Sequence, residues 1–123
     1  MTISIFHIGL PLDHPSIPES EAPKVAKRLG ELQEQMRGAG YRYEFIYCSP
    51  ESGLQDLKDQ LRSQPCDGAL VGGGIVGNPA MGSFLEEIVE AVGEVVPTAK
   101  VMLFDHSVDV RDMVEKCFKP LAD

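Results

Sequence analysis

Residues 68–79 read Gly-Ala-Leu-Val-Gly-Gly-Gly-Ile-Val-Gly-Asn-Pro and join a short apolar segment to a helical one almost without side chains. The first four residues are bounded by turn-forming residues and are apolar on both faces, which predicts an interior strand. Gly72, Gly74 and Gly77 follow with the spacing G-x-G-x-x-G, where bare backbone N–H groups allow the close approach of an anion. The stretch therefore predicts a strand, a glycine-rich turn with a binding site, and a helix that begins at Pro79.

The same alternation of a short apolar segment and a longer periodic one occurs four times along the chain. The predicted strands cover residues 3–8, 43–48, 68–71 and 101–104. The predicted helices carry apolar stripes at steps of three and four residues, the first of which consists of Val25, Leu29, Leu32 and Met36. Strands that alternate with amphipathic helices are typical of a parallel sheet covered on both faces.

The chain is accordingly predicted to form one α/β domain over residues 1–123, a small three-layer open parallel sheet of four β-α units. Right-handed crossovers make 2-1-3-4 the expected strand order, and this arrangement resembles flavodoxin-like and Rossmann-like domains. Strand 4 would then be an edge strand although it is apolar, and such edges are seldom left uncovered. We expect a homodimer through strand 4, or coverage of that edge by the C-terminal segment.

Composition and charge restrict the class of protein. Of the 123 residues, 43% are apolar and 24% are charged, as in an ordinary globular domain. No apolar run reaches the roughly 18 to 20 residues of a membrane helix, and the N-terminus lacks the features of a signal peptide, so we expect a cytoplasmic protein. The formal charge of −8 opposes binding to nucleic acid or to anionic lipid.

The three cysteines, Cys48, Cys66 and Cys117, are widely spaced and form no C-x-x-C motif. This pattern argues against both a disulfide framework and a zinc site, and we expect reduced thiols. We therefore predict no metal site.

In an open parallel sheet, ligands bind outside the carboxyl ends of the strands where the strand order reverses, here between strands 1 and 3. The glycine run lies at this point. As an anion cradle it would bind an anionic or phosphorylated small molecule through a helix N-terminus and free backbone N–H groups. The predicted ligand-binding residues are Gly72, Gly73, Gly74, Gly77 and Asn78.

Two other interpretations of the glycine run stay open. One is a plain turn that uses glycine for positive φ angles. The other comes from residues 70–77, Leu-Val-Gly-Gly-Gly-Ile-Val-Gly, which resemble the opening of flavin-dependent oxidoreductases and other Rossmann dinucleotide-binding proteins. That resemblance implies a dinucleotide-binding fragment, and the sequence leaves the identity of any cofactor unknown.

Candidate catalytic residues lie in two loops near the same end of the sheet. Asp13 and His14 occur in a proline-rich loop after strand 1, and Asp105 and His106 follow strand 4. Histidine titrates near neutral pH and a neighbouring carboxylate can orient it, so each pair suits proton transfer. If the chain is an enzyme, we expect hydrolysis or group transfer. The alternative is a non-catalytic dimeric interaction or regulatory module.

Overall fold

The computed structural model describes residues 3–15, 17–51, 54–105 and 107–118. Four β-strands alternate with α-helices along the chain, and a short 3₁₀ helix precedes the longest helix of the second half. The strands are β1 (Ser4–Gly9), β2 (Arg42–Tyr47), β3 (Gly68–Val71) and β4 (Lys100–Leu103). The helices are α1 (Ala22–Gly38), α2 (Gln55–Ser63), α3 (Gly73–Val76), α4 (Gly82–Val95) and α5 (Val110–Phe118), and the 3₁₀ helix is Pro79–Met81.

The four strands form one parallel sheet with the order β2-β1-β3-β4. His7 of β1 pairs with Phe45 of β2 on one side and with Leu70 of β3 on the other, so β1 and β3 are the central strands. The predicted α/β class and the strand order 2-1-3-4 are confirmed. The carboxyl ends of β1 and β3 lie side by side at the point where the strand order reverses.

Each face of the sheet has its own apolar layer because successive side chains of a strand point to opposite faces. On one face, Phe6, Ile8 and Ile46 pack with Leu57 of α2 and Ile88 of α4. The other layer combines residues of β1, β2, β3 and β4 with residues of α1 and α5. Its buried members are Ile5, Met36, Tyr43, Leu70, Met102, Val110 and Val114.

Helix α1 is packed against the sheet only near its C-terminal end. Met36 is fully buried, whereas Val25, Leu29 and Leu32 of the same apolar stripe are only half-buried. The stripe predicts the inward face of α1 correctly. Its first three residues, however, face a cavity instead of closely packed side chains.

The glycine run folds differently from the predicted open turn. The carbonyl of Gly72 accepts hydrogen bonds from the N–H groups of Ile75 and Val76, at 3.1 and 3.0 Å, and this closes the short helix α3. The chain then restarts at Asn78, whose side-chain oxygen accepts a hydrogen bond from the N–H of Ala80 at 3.0 Å. The prediction of an α-helix from Pro79 is wrong by three residues, since the 3₁₀ helix comes first and α4 begins at Gly82.

Strand β4 lies at the edge of the sheet beside β3, as predicted. Met102 is buried under α5, but Val101 and Leu103 point to the opposite face and are 37% and 45% exposed. The predicted homodimer through this strand stays a prediction. The alternative cover, the C-terminal segment from residue 119 onward, lies outside the described residues.

Within the described part of the chain, no helix is long and apolar enough to cross a membrane. The longest of the helices given above, α1, has 17 residues and carries several charges.

Candidate functional site

A cavity of about 350 Å³ lies at the carboxyl end of the sheet, between α1, the loop that follows β1, and the glycine run. It opens beside the ends of β1 and β3, where open parallel sheets bind their ligands. Most of the described residues that line it are apolar or aromatic. The lining residues are His7, Gly9, Leu10, Leu12, Ile17, Val25, Arg28, Leu29, Leu32, Phe45, Tyr47, Gly72, Gly73, Gly74 and Phe104.

Glycine is required at two positions of the run because side chains approach the backbone closely there. A Cβ atom on Gly72 would lie 2.8 Å from Nε2 of His7, and one on Gly73 would lie 2.9 Å from the Phe104 ring. Gly74 has more room, with Leu10 at 3.8 Å. Among the described residues only Gly40 has a positive φ angle. Gly72 and Gly73 therefore make space for His7 and Phe104, and a positive φ angle does not explain them.

Most N–H groups of the run are already bonded within the fold. Gly72 donates to the carbonyl of Ile8 at 2.8 Å, and Gly77 donates to the carbonyl of Gly73 at 2.9 Å. The N–H groups of Gly73 and Gly74 make no hydrogen bond with the described residues and are the two that remain for a ligand.

Of the five predicted ligand-binding residues, Gly72, Gly73 and Gly74 line the cavity, whereas Gly77 and Asn78 do not. The oxygen of the Asn78 side chain is engaged by the N–H of Ala80. Anion binding by this set of residues stays a prediction, with fewer free donors than the sequence pattern indicates.

Three of the predicted catalytic residues, Asp13, His14 and Asp105, are not among the described residues that line the cavity. Nε2 of His14 lies 2.6 Å from Oε1 of Glu51, whereas Asp13, its expected partner, is exposed. Asp105 accepts hydrogen bonds from the backbone N–H and the hydroxyl of Ser107, at 2.9 and 2.8 Å, and so stabilises the turn before α5. His106 lies outside the described residues.

The polar centre of the cavity is His7, which is not among the site residues predicted from the sequence. His7 is 4% exposed, and its Nδ1 lies 2.6 Å from the hydroxyl of Tyr43, which is fully buried. The His7 ring also contacts Phe45, with 5.1 Å between ring centroids. Burial lowers the pKa of His7 to about 4, so the imidazole is neutral at pH 7.

One signal in the sequence could have indicated this pair. Alternation along two neighbouring parallel strands places His7 of β1 on the same face of the sheet as Tyr43 and Phe45 of β2. A histidine between two aromatic residues near the end of a central strand is a candidate for a polar group in an apolar pocket.

Among the described residues that line the cavity, Arg28 of α1 is the one with a charged side chain. Its side chain is exposed, and it makes no ion pair or hydrogen bond with the described residues. An unpaired guanidinium beside an apolar cavity can bind a carboxylate or sulfonate at the surface. This position differs from the predicted anion site at the glycine backbone.

The two buried thiols, Cys48 and Cys66, lie on the other face of the sheet, in the apolar layer that includes residues of α2 and α4. Burial raises the pKa of both Cys48 and Cys66 to about 11, which leaves them as unreactive thiols at neutral pH. In the described part of the chain, no three His, Cys, Asp or Glu residues come together in a way that could hold a metal ion.

No protein family and no curated protein matches this sequence. The evidence for a ligand class is therefore the geometry of the cavity. Its described lining combines an apolar enclosure, the neutral imidazole of His7 and the guanidinium of Arg28.

Proposed function

We propose that the protein binds a small, mostly apolar molecule in the cavity at the carboxyl ends of β1 and β3. The observation that carries this proposal is the cavity itself, whose volume of about 350 Å³ is enclosed by aliphatic and aromatic side chains. Ligand sites in proteins are typically concave, mostly apolar and roughly 300 to 1,000 Å³ in volume, with a few polar groups that orient the ligand.

The lining favours an apolar ligand over a phosphate. A phosphate needs several donors, and the glycine run has only the N–H groups of Gly73 and Gly74 left to offer. Moving a doubly charged group into an apolar cavity without further partners would cost several kcal/mol, of the order given for unpaired buried charges. An anionic group on the ligand would instead bind Arg28, whose exposed guanidinium keeps both charges partly hydrated.

The apolar stripe of α1 that faces the cavity also favours an apolar ligand. Val25, Leu29 and Leu32 remain half-buried although they face inward, because the cavity separates them from the sheet. Filling the cavity with a ligand would remove this apolar surface from water, at roughly 25 cal/mol per Å².

The test uses a naphthoate as a probe, since it combines an aromatic body with one carboxylate. We expect the wild-type protein to bind it and Leu29→Trp to weaken binding by about tenfold or more, because the indole occupies the cavity. Isothermal titration calorimetry measures both affinities.

Val89→Trp is the matched control. Val89 is also an apolar helix residue, 37% exposed on α4 and outside the cavity, so this variant should bind like the wild type. Equal affinity of the wild type and Leu29→Trp, with circular dichroism showing both folded, would refute the cavity as the binding site. The absence of binding to the wild type would refute the proposed function.

A non-catalytic dimeric interaction module is the second candidate. The observation that favours it is the edge strand β4, where Val101 and Leu103 are exposed. The two functions are compatible, since β4 and α1 contribute to different surfaces of the molecule.

A further inference from the structure

The hydroxyl of Tyr43 determines which nitrogen of His7 carries the proton. Tyr43 is fully buried, and Nδ1 of His7, at 2.6 Å, is the hydrogen-bond partner of its hydroxyl among the described residues. A buried O–H group needs an acceptor, because leaving the donor unsatisfied carries its full desolvation cost. The phenol therefore donates to Nδ1.

In a neutral imidazole one nitrogen accepts and the other donates. With Nδ1 as the acceptor, Nε2 of His7 carries the hydrogen. The burial that lowers the pKa of His7 to about 4 keeps the ring in this neutral form, and burial also raises the pKa of Tyr43, which keeps the phenol protonated.

The Nε2–H group reaches the cavity beside Gly72. A Cβ on Gly72 would lie 2.8 Å from Nε2, so the absence of a side chain at this position leaves that nitrogen uncovered. Nε2 has no hydrogen-bond partner among the described residues. Among the described residues, every side-chain nitrogen or oxygen that is fully buried has a hydrogen-bond partner. Because Nε2 has none, it is not fully buried, and His7 lines the cavity, so we infer that Nε2 is accessible from there.

We propose that Nε2–H of His7 is the donor that orients the ligand, and that the ligand class is a small apolar molecule with an uncharged carbonyl oxygen, such as a ketone, ester or amide. This inference rests on the proposed function of the same cavity. A carbonyl fits better than a carboxylate at this depth, because a neutral imidazole cannot compensate the burial of a full charge. Tyr43 is a positioning residue that acts through His7.

The test compares two ligands of nearly the same shape, a naphthyl methyl ketone and the matching ethylnaphthalene. A net hydrogen bond of the usual strength predicts that the wild type binds the ketone about fivefold more tightly or better. His7→Phe should bind both compounds with equal affinity. Tyr43→Phe should reduce the preference for the ketone, whereas Tyr41→Phe, which removes a hydroxyl outside the cavity, should retain it.

A heteronuclear NMR spectrum of the imidazole nitrogens gives a readout that a purely structural role would not affect. The wild type should show a protonated Nε2 and an unprotonated Nδ1, and Tyr43→Phe should change this distribution. The nitrogen spectrum and the affinities of the ketone and the ethylnaphthalene are both measured on the wild type. The proposal therefore stays testable if His7→Phe does not fold.

The outcomes separate the two proposals. Equal binding of the two naphthalenes to the wild type would overturn the role of His7 and leave the cavity as a binding site. A protonated Nδ1 in the wild type would also overturn it. Failure of both compounds and of the naphthoate to bind would overturn the proposed function and this inference with it.

Discussion

At the scale of single residues, Gly72 and His7 depend on each other. The α-carbon of Gly72 lies against the edge of the imidazole, and a Cβ there would meet Nε2 at 2.8 Å and the carbonyl oxygen of Ile8 at 3.3 Å. The ring cannot move away freely, because Tyr43 binds its other nitrogen at 2.6 Å. Gly72 thus contributes to the proposed binding site by leaving space for the imidazole of His7.

This contact predicts different outcomes for two substitutions in the same run. Gly72→Ala should lower the free energy of unfolding by about 1 to 3 kcal/mol, as overpacking typically does, and should weaken ligand binding. Gly74→Ala should cause no loss, since its Cβ would lie 3.8 Å from Leu10 in an ordinary contact. Urea denaturation of the two variants measures the difference, and equal stabilities would contradict the close contact at Gly72.

His7 also predicts how stability depends on pH. Its pKa is about 4 in the folded protein and about 6.5 in an unfolded chain. Between these values the unfolded chain binds a proton that the folded protein does not, so the free energy of unfolding falls as the pH is lowered from 6.5 to 4. The titratable group in contact with the His7 ring is the phenol of Tyr43, which stays neutral because burial raises its pKa.

The shift corresponds to a loss of roughly 3 kcal/mol over the whole window. His7→Gln removes this titration and keeps an acceptor for Tyr43, so its stability should fall less than that of the wild type between pH 6.5 and pH 4. Carboxylates titrate in both proteins and cancel in the difference. Parallel curves for the two proteins in urea denaturation would show that His7 is not buried as a neutral ring.

At the scale of elements, apolar periodicity predicts the strands and the inward face of each long helix, and the right-handedness of the crossovers predicts the strand order. It does not predict how far an element stands from its neighbour. Val25, Leu29 and Leu32 satisfy the same pattern whether they touch the sheet or face a cavity, so the empty volume beneath α1 is a property of tertiary packing that no local pattern contains.

Helix α3 shows a second limit of prediction from local sequence. Glycine has low helix propensity, so three glycines in succession predict a turn. In the fold, the Gly72 carbonyl accepts hydrogen bonds that close a single helical turn, and a new helical segment begins after Asn78. Local sequence patterns also do not predict long-range pairs, such as that of His14 with Glu51, which lies 37 residues further along the chain.

At the scale of the whole molecule, the two exposed apolar residues of β4 favour association of two copies through that edge. Val101 and Leu103 lie on a strand whose outer backbone groups have no neighbouring strand in the described sheet, and such edges readily pair with a second chain. We expect the protein to sediment as a dimer and Leu103→Lys to sediment as a folded monomer. A monodisperse wild-type monomer would contradict the predicted dimer.

The central claim, that the cavity beneath α1 binds an apolar ligand, can be tested by mapping methyl NMR shifts during a titration with the naphthoate. Binding in the cavity predicts shifts for the methyl groups of Ile17, Val25 and Leu29, and unchanged positions for Val89, Val101 and Leu103 on the outer surface. Shifts confined to the second group, or no shifts at all, would contradict the claim.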